Sequence, residues 1–173
     1  MDFFEAVEQR HSIRIYQRRD VEEDRLQRIL ACANAAPSAG NLQAYEIVVI
    51  KAEKNKQALA RAAYNQAQLS IGPLVLAFVQ NPERSRDRYK QRGVALYSLQ
   101  DATIACAYAQ LAATALGLAS CWVGAFDEND VRAALNAPAD LIPVALLSIG
   151  YAKEEPFIKG RRDLTELVKW ETF

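Results

Sequence analysis

The stretch between Tyr97 and Leu116 constrains the fold more than any other part of this sequence. Its spacing predicts one long helix, followed by Gly117 in a position suited to a C-cap. Small residues lie on every side of that helix, namely Ala102, Ala105, Ala107, Ala109, Ala112, Ala113 and Ala115. A helix that is small and apolar all round must be enclosed by other elements. We therefore expect it either in the domain core or at the centre of a subunit interface.

Strands and helices alternate along the rest of the chain. Apolar runs predict strands at 45–50, 74–80, 120–126 and 144–151, and amphipathic runs predict helices at 2–9, 21–36, 53–67 and 128–136, with Asp20 and Asp127 as N-caps. This order is typical of layered α/β or α+β folds. The alternation alone favours a parallel sheet and leaves a mixed sheet open. A chain of 173 residues is expected to form one domain, residues 1–173.

The charge balance and the cysteines argue against several classes of protein. Lysine plus arginine and aspartate plus glutamate both number 21, so no net field attracts nucleic acid or an anionic membrane. The three cysteines lack CxxC spacing and are predicted to be reduced, as in a cytoplasmic protein. The acidic residues of MDFFEAVEQR are unlike a signal peptide, and the polar residues within the long helix are unlike a membrane span.

Three polar clusters are candidates for a binding site. In RHSIRIY, Arg10, Ser12 and Arg14 share one face if the segment is extended, and the two arginines also align if it is helical. The segment 37–43 (PSAGNLQ) is rich in short polar side chains, and 159–162 (KGRR) is basic. Taken singly, each has an ordinary explanation: a surface arginine pair, a plain turn and a solvated tail. The charged run 84–92 has the same ordinary explanation as a solvated surface.

Together the clusters provide arginine forks suited to a phosphate, with amide and hydroxyl groups suited to a polar heterocycle or polyol. No metal-ligand set accompanies them, and there is no GxSxG, P-loop or GxGxxG motif. A site without its own base, nucleophile or metal depends on a bound cofactor for its chemistry.

The chain resembles the FMN-dependent nitroreductase family. The resemblance rests on RHSIRIY, APSAGNLQAYEIVVI, LGLASCWVGAFDE, PVALLSIGYAKEEP and KGRRDLTELVKW, which occur in the order and spacing of that family. It implies an α+β fold with a mainly antiparallel sheet flanked by helices. It also implies an interlocked homodimer, with two FMN sites at the interface and the C-terminal LTELVKW reaching the partner as an edge strand.

The resemblance also assigns the residues that would contact FMN: Arg10, His11, Ser12, Arg14, Pro37, Ser38, Asn41, Gln43, Val123, Gly124, Ala125, Lys159, Arg161 and Arg162. Arg10 and Ser12 are expected at the phosphate and ribityl end, with Arg14 near the pyrimidine edge. The basic residues of the last segment, Lys159, Arg161 and Arg162, are expected around the phosphate. The segment 37–43 is expected to come from the second subunit. The backbone at Gly124 is expected to support flavin N5, where glycine permits a close approach.

The resemblance implies ping-pong hydride transfer from NADH or NADPH to a nitroaromatic, quinone or similar acceptor. The alternatives are a specialised flavin reaction, such as dehydrogenation or dehalogenation, and a non-catalytic flavin carrier or sensor. Two features depart from the family pattern. Ala44 and Tyr45 stand where the family often has proline and an aromatic residue, and the mid-chain asparagine and lysine that contact flavin in larger members do not align with 84–91.

Overall fold

The computed structural model describes residues 1–173. The helices are α1 (Phe3–Gln9), α2 (Glu23–Asn34), α3 (Glu53–Ala62), α4 (Gln68–Ile71), α5 (Glu83–Arg92), α6 (Ser98–Ala115), α7 (Glu128–Leu135) and α8 (Leu164–Leu167). The strands are β1 (Tyr45–Ile50), β2 (Leu74–Gln80), β3 (Ala119–Val123) and β4 (Ile142–Gly150). A 3₁₀ turn spans Ala39–Asn41, and a π-turn, Gly93–Tyr97, joins α5 to α6.

The four strands form one sheet in the order β1-β2-β4-β3, and every pair is antiparallel. The antiparallel sheet implied by the family resemblance is therefore confirmed, and the parallel sheet favoured by simple alternation is wrong. The alternation misleads because α3 and α4 are two short helices separated by a turn. They return the chain so that β2 enters the sheet against the direction of β1.

Helices cover both faces of the sheet, and β2 demonstrates this arrangement. Leu74, Leu76 and Phe78 point into a core formed with α2 and α6, whereas Val75 and Ala77 point into a second core formed with α3 and α7. All of them are fully buried. Burying each large side chain contributes about 1.5–3 kcal/mol. A strand buried on both faces reads as a continuous apolar run, which explains LVLAFV.

The long helix α6 lies in the core that includes α2, which is one of the two positions expected for it. Ala102, Ala105, Ala109 and Ala113 are fully buried between α2 and the sheet, where their small side chains permit close packing. The opposite flank is more open. Ile104 and Leu111 are only partly buried there, and Tyr108 is 41% exposed.

Helix ends follow the sequence in some places and depart from it in others. Asp2 and Glu5 form a capping box on α1, and Asp127 accepts the N–H groups of Asn129 and Asp130 at 2.9 and 3.0 Å. Asp20 does not cap α2, because that helix begins at Glu23 after Glu22, which makes no side-chain cap. Leu164–Leu167, the first four residues of LTELVKW, form α8 in this chain, and the edge strand expected on a partner stays a prediction.

Candidate flavin site

The segment 10–16, here called the N-terminal arm, leaves α1 in an extended conformation. Its helical alternative is wrong, because α1 ends at Gln9 and Arg10 is already extended. Ser12 bridges Ser120 of β3, and the Ile13 N–H donates to the Ser120 carbonyl at 3.0 Å. Ile13 is buried, whereas Ser12 and Arg14 are exposed and Arg10 is half-buried. The arm thus runs along β3 with its polar side chains turned outward.

The far end of the arm is fixed by Tyr16 and by the segment after β4. The buried Tyr16 hydroxyl donates to the Ile13 carbonyl at 2.7 Å and lies 2.8 Å from Ser148 Oγ. Glu154 Oε1 accepts the N–H groups of Arg14 and Ile15 at 2.6 and 3.1 Å. These contacts hold the backbone of the arm on both sides and so fix the positions from which its arginine side chains extend.

Neither arginine of the arm is committed to an internal partner. The guanidinium groups of Arg10 and Arg14 take part in none of the ion pairs or side-chain hydrogen bonds of the chain. Burial raises the pKa of the Cys121 thiol, and the charges of Arg14 and Arg10 act in the opposite direction. Both arginines are therefore close enough to Cys121 of β3 to influence its thiol, and both remain available to an anion.

The end of β3 presents free backbone donors. Val123 is buried, but Gly124 and Ala125 are exposed, and their N–H groups donate to no acceptor in the chain. A side chain at Gly124 would meet only Trp122, at 3.6 Å, so internal packing does not require glycine there. Gly124 also lines a cavity of about 400 Å³ together with Leu99, Phe126 and Pro143. Two unpaired N–H groups beside a cavity are suited to a planar polar ligand.

A turn that sequence reasoning missed supports this strand end. Helix α3 stops at Ala62 rather than continuing to 67, because Tyr64 and Asn65 adopt φ values of 56° and 60°. Gln66 Nε2 then donates to the Ala125 carbonyl at 2.9 Å, and Gln68 Nε2 donates to Gln66 Oε1 at 2.9 Å. The available signal was asparagine, which tolerates a positive φ better than most residues.

The segment 37–43, here called the polar loop, follows α2 and contains the 3₁₀ turn. Pro37 is exposed at its start, and Ser38 Oγ accepts the Gln43 N–H at 3.1 Å. Gln43 Nε2 donates to the Asn41 carbonyl at 3.1 Å. Gly40, Asn41 and Gln43 all have positive φ, at 57°, 58° and 48°. The loop is a defined structure rather than a plain connection.

The predicted site residues are only partly brought together within one chain. The arm (Arg10, Ser12, Arg14) and the strand end (Val123, Gly124, Ala125) are joined through β3. No hydrogen bond links the polar loop to either of them. Lys159, Arg161 and Arg162 lie in an exposed tail, 157–173, whose hydrogen bonds are all internal to it. His11 instead lines a cavity of about 880 Å³ with Ile13, Thr114 and Glu154.

No helix of the structure combines the length and the apolar character needed to cross a bilayer. No group of three or more His, Cys, Asp or Glu side chains is placed to hold a metal ion. The cysteines are unpaired thiols; Cys106 and Cys121 are buried, and Cys32 is exposed.

Comparison with known proteins defines the class. The Nitroreductase family model matches residues 7–91 and 61–151. A protein of Thermus thermophilus named NADH dehydrogenase is 32% identical over 197 residues, covering 98% of this chain and 96% of the relative. A nitroreductase family protein of Clostridium difficile has 32% identity and a TM-score of 0.88, with all of both chains covered. In Vibrio harveyi, an NADPH:FMN oxidoreductase solved with NAD⁺ has a TM-score of 0.90 at 22% identity, covering 99% of this chain and 77% of that one, and shares the fold.

Fold and relatives together define an oxidoreductase with an α+β fold, related to NAD(P)H nitroreductases. The chain belongs to the Nitroreductase family.

Proposed function

We propose that this chain is an FMN-dependent NAD(P)H oxidoreductase that reduces nitroaromatics, quinones or similar acceptors by a ping-pong reaction. The observation that carries the proposal is the pairing of two uncommitted arginines on the N-terminal arm with two free N–H groups at the end of β3. Cations suit a phosphate, and backbone donors suit the edge of a flavin ring. The names of the Thermus and Vibrio relatives support a nicotinamide donor, and the Vibrio name supports FMN.

In this proposal each predicted residue has a stated place around FMN. Arg10 and Ser12 would hold the phosphate and ribityl end, with His11 adjacent and with Lys159, Arg161 and Arg162 adding charge from the tail. Arg14 would lie at the pyrimidine edge. Val123, Gly124 and Ala125 would pass along the ring, and the N–H groups of the last two would donate to it. Pro37, Ser38, Asn41 and Gln43 would approach from a second copy of the chain.

Bound FMN supplies the hydride chemistry, and the chain supplies binding and electrostatics. A cation at Arg14 favours negative charge on the adjacent part of the ligand. Gln66 Nε2 donates to the Ala125 carbonyl and would help to hold the strand end in place, while the Ala125 N–H has no acceptor within the chain. No side-chain acid or base is needed for hydride transfer from the donor.

We further propose that the protein acts as a homodimer of one FMN-binding domain, residues 1–173, in the cytoplasm. The tail presents Phe157, Leu164 and Trp170 with 77%, 70% and 86% of their surfaces exposed. Phe3 and Phe4 of α1 are also exposed, and the open flank of α6 adds Tyr108. Apolar surface on this scale is typical of an interface. A second copy would cover it and would supply the polar loop that one chain leaves apart from the arm.

Sedimentation tests the assembly. The full chain is expected to run as a dimer that retains FMN, and a chain ending at Pro156 is expected to lose both properties. A full chain that runs as a monomer while binding FMN would contradict the homodimer.

Anaerobic stopped-flow tests the activity. The protein reconstituted with FMN is mixed with NADH or with NADPH, and flavin absorbance is followed. Bleaching with at least one donor, and recovery of absorbance on adding a quinone or nitroaromatic, is the expected result. Bound FMN that neither donor bleaches would contradict the proposal and indicate a flavin carrier or sensor. Bleaching without recovery by any such acceptor would indicate a specialised reaction.

A further inference from the structure

Asp101 on α6 binds the backbone of the polar loop at Ala39 and, just after the loop, at Ala44. Its Oδ1 accepts the Ala39 N–H at 2.9 Å, and its Oδ2 accepts the Ala44 N–H at 3.1 Å. The residue is only 2% exposed, and no cation pairs with it. We propose that Asp101 is a positioning residue that fixes the polar loop in the conformation needed to grip FMN. The proposal rests on the proposed function, because it takes that loop to be part of the flavin site.

The polar loop needs an external support of this kind. Three of its residues, Gly40, Asn41 and Gln43, have positive φ, and only glycine adopts that conformation without cost. Such strained backbone persists only where surrounding contacts over-determine it. Within the loop, Ser38 Oγ accepts the Gln43 N–H and the Ala39 carbonyl accepts the Leu42 N–H, but no group of the loop accepts the N–H of Ala39 or of Ala44. Asp101 supplies bonds at both of those positions.

A second element holds the other side of the loop backbone. Arg84 Nε of α5 donates to the Leu42 carbonyl at 3.1 Å, and Arg88 Nη1 donates to the Gly40 carbonyl at 3.3 Å. N–H groups of the loop are thus met by a carboxylate, and carbonyls are met by guanidinium groups. With its backbone held by α6 and α5, the loop would present Ser38, Asn41 and Gln43 to a ligand in one fixed arrangement. This also gives the charged run 84–92 a role beyond that of a solvated surface.

The burial of Asp101 argues for a specific role. A buried carboxylate without a cation loses its hydration, and only hydrogen bonds to its oxygens offset that cost. A neutral or apolar residue at the start of α6 would avoid the cost, so the charge is explained by the two bonds it makes. Because the polar loop would serve the flavin of the second copy, Asp101 would act across the dimer interface.

Asp101→Asn is the direct test, with Thr114→Val as the matched control. Asparagine keeps the shape but presents an NH₂ group to one of the two backbone N–H groups. Thr114 lies on the same helix, is 8% exposed and donates only to the Gln110 carbonyl. Asp101→Asn is expected to weaken FMN binding about tenfold and to speed hydrogen exchange at the amides of Ala39 and Ala44 by about tenfold or more. Thr114→Val is expected to leave both within about twofold of wild type.

The outcomes are distinguishable. Unchanged FMN affinity in Asp101→Asn would overturn the inference. So would an equal drop in melting temperature in Asp101→Asn and Thr114→Val, with no change in hydrogen exchange at Ala39 and Ala44. If the wild-type protein binds no FMN, the proposed function fails, and so does the proposed role of Asp101 in FMN binding. Hydrogen exchange at Ala39 and Ala44 would still show whether Asp101 holds the loop. If Asp101→Asn does not fold, Ala39→Pro removes one donor from the loop side. It should weaken FMN binding severalfold, and unchanged binding would overturn the inference.

Discussion

Glu154 Oε1 lies 2.6 Å from the backbone nitrogen of Arg14, although the two residues are 140 positions apart in the chain. The same oxygen accepts the Ile15 N–H at 3.1 Å. A carboxylate that follows the last strand therefore sets the position of an arm that precedes the first one. Since the arm carries the arginines proposed to bind FMN, the strength of that binding should depend on a residue that never meets the cofactor.

Glu154→Gln tests this dependence. The amide keeps one weaker acceptor, so the arm should loosen and FMN should bind about threefold to tenfold more weakly by fluorescence titration. Glu155→Gln is the control, because Glu155 is exposed and makes no hydrogen bond. Equal FMN affinity in the two variants would mean that Glu154 does not position the arm.

Arg14→Ala addresses the electrostatic role of the second arginine. If its charge favours the reduced ligand, its removal should make the midpoint potential of bound FMN more negative by roughly 30 mV, equivalent to about 1.4 kcal/mol for a two-electron couple. Arg18→Ala removes a nearby exposed arginine outside the arm and should leave the potential unchanged. A potential that moves equally in both variants would point to a general charge effect rather than to a position at the ring.

The buried hydroxyl of Tyr16 is expected to make the folded protein less stable at alkaline pH. Burial raises the pKa of its hydroxyl in the folded state, whereas the unfolded residue titrates near pH 10. Stability linked to Tyr16 is therefore fully present below about pH 10 and is lost as the pH rises above it. Tyr16→Phe should lower the free energy of unfolding by about 1–3 kcal/mol at pH 7 and flatten its fall above pH 10 in urea titrations.

Tyr64→Phe is the control for that experiment, because Tyr64 is 68% exposed and its hydroxyl makes no hydrogen bond within the chain. It should unfold like the wild type at every pH. An alkaline slope in Tyr16→Phe as steep as that of the wild type would show that other groups cause the loss.

Gly150→Ala, with Gly160→Ala as its control, tests how tightly the chain packs around Gly150. A Cβ at Gly150 would lie 2.7 Å from Pro73 Cδ and 2.9 Å from the Tyr16 ring, whereas nothing lies within 4 Å of one at Gly160. Gly150→Ala should lower the free energy of unfolding by about 1–3 kcal/mol, and Gly160→Ala should be neutral or slightly stabilising. Urea denaturation measures both, and equal values would contradict the packing described around Tyr16.

The sequence predicts the core elements well and their junctions poorly. The strands Tyr45–Ile50 and Leu74–Gln80 match the predicted bounds, because long apolar runs end there at polar residues or at Gly72-Pro73. Sheet direction was recoverable only through family resemblance, since alternation carries no information on how connections turn. The end of α3 was misplaced because residues 63–67 have acceptable helix propensity, and distant contacts override it.

In the candidate site, too, local features could be predicted from the sequence, whereas contacts between distant residues could not. The shared face of Arg10, Ser12 and Arg14 follows from local geometry and was predicted. Asp101 and Gln66 were missed, because their roles depend on bonds to the polar loop and to Ala125 across about sixty residues. No local pattern distinguishes a buried aspartate that organises a loop from one at the start of an ordinary helix.

The most direct test of the proposed FMN site compares the binding of FMN and of riboflavin, which lacks the phosphate. Equilibrium titrations would measure both affinities in the wild type and in Arg10→Ala. Because the arginines of the N-terminal arm have no partner within the chain, we expect the wild type to bind FMN about 100-fold more tightly than riboflavin. We expect Arg10→Ala to reduce this ratio about tenfold or more without weakening the binding of riboflavin. Equal affinity for the two ligands, or no binding of either, would contradict a phosphate-binding role for the N-terminal arm.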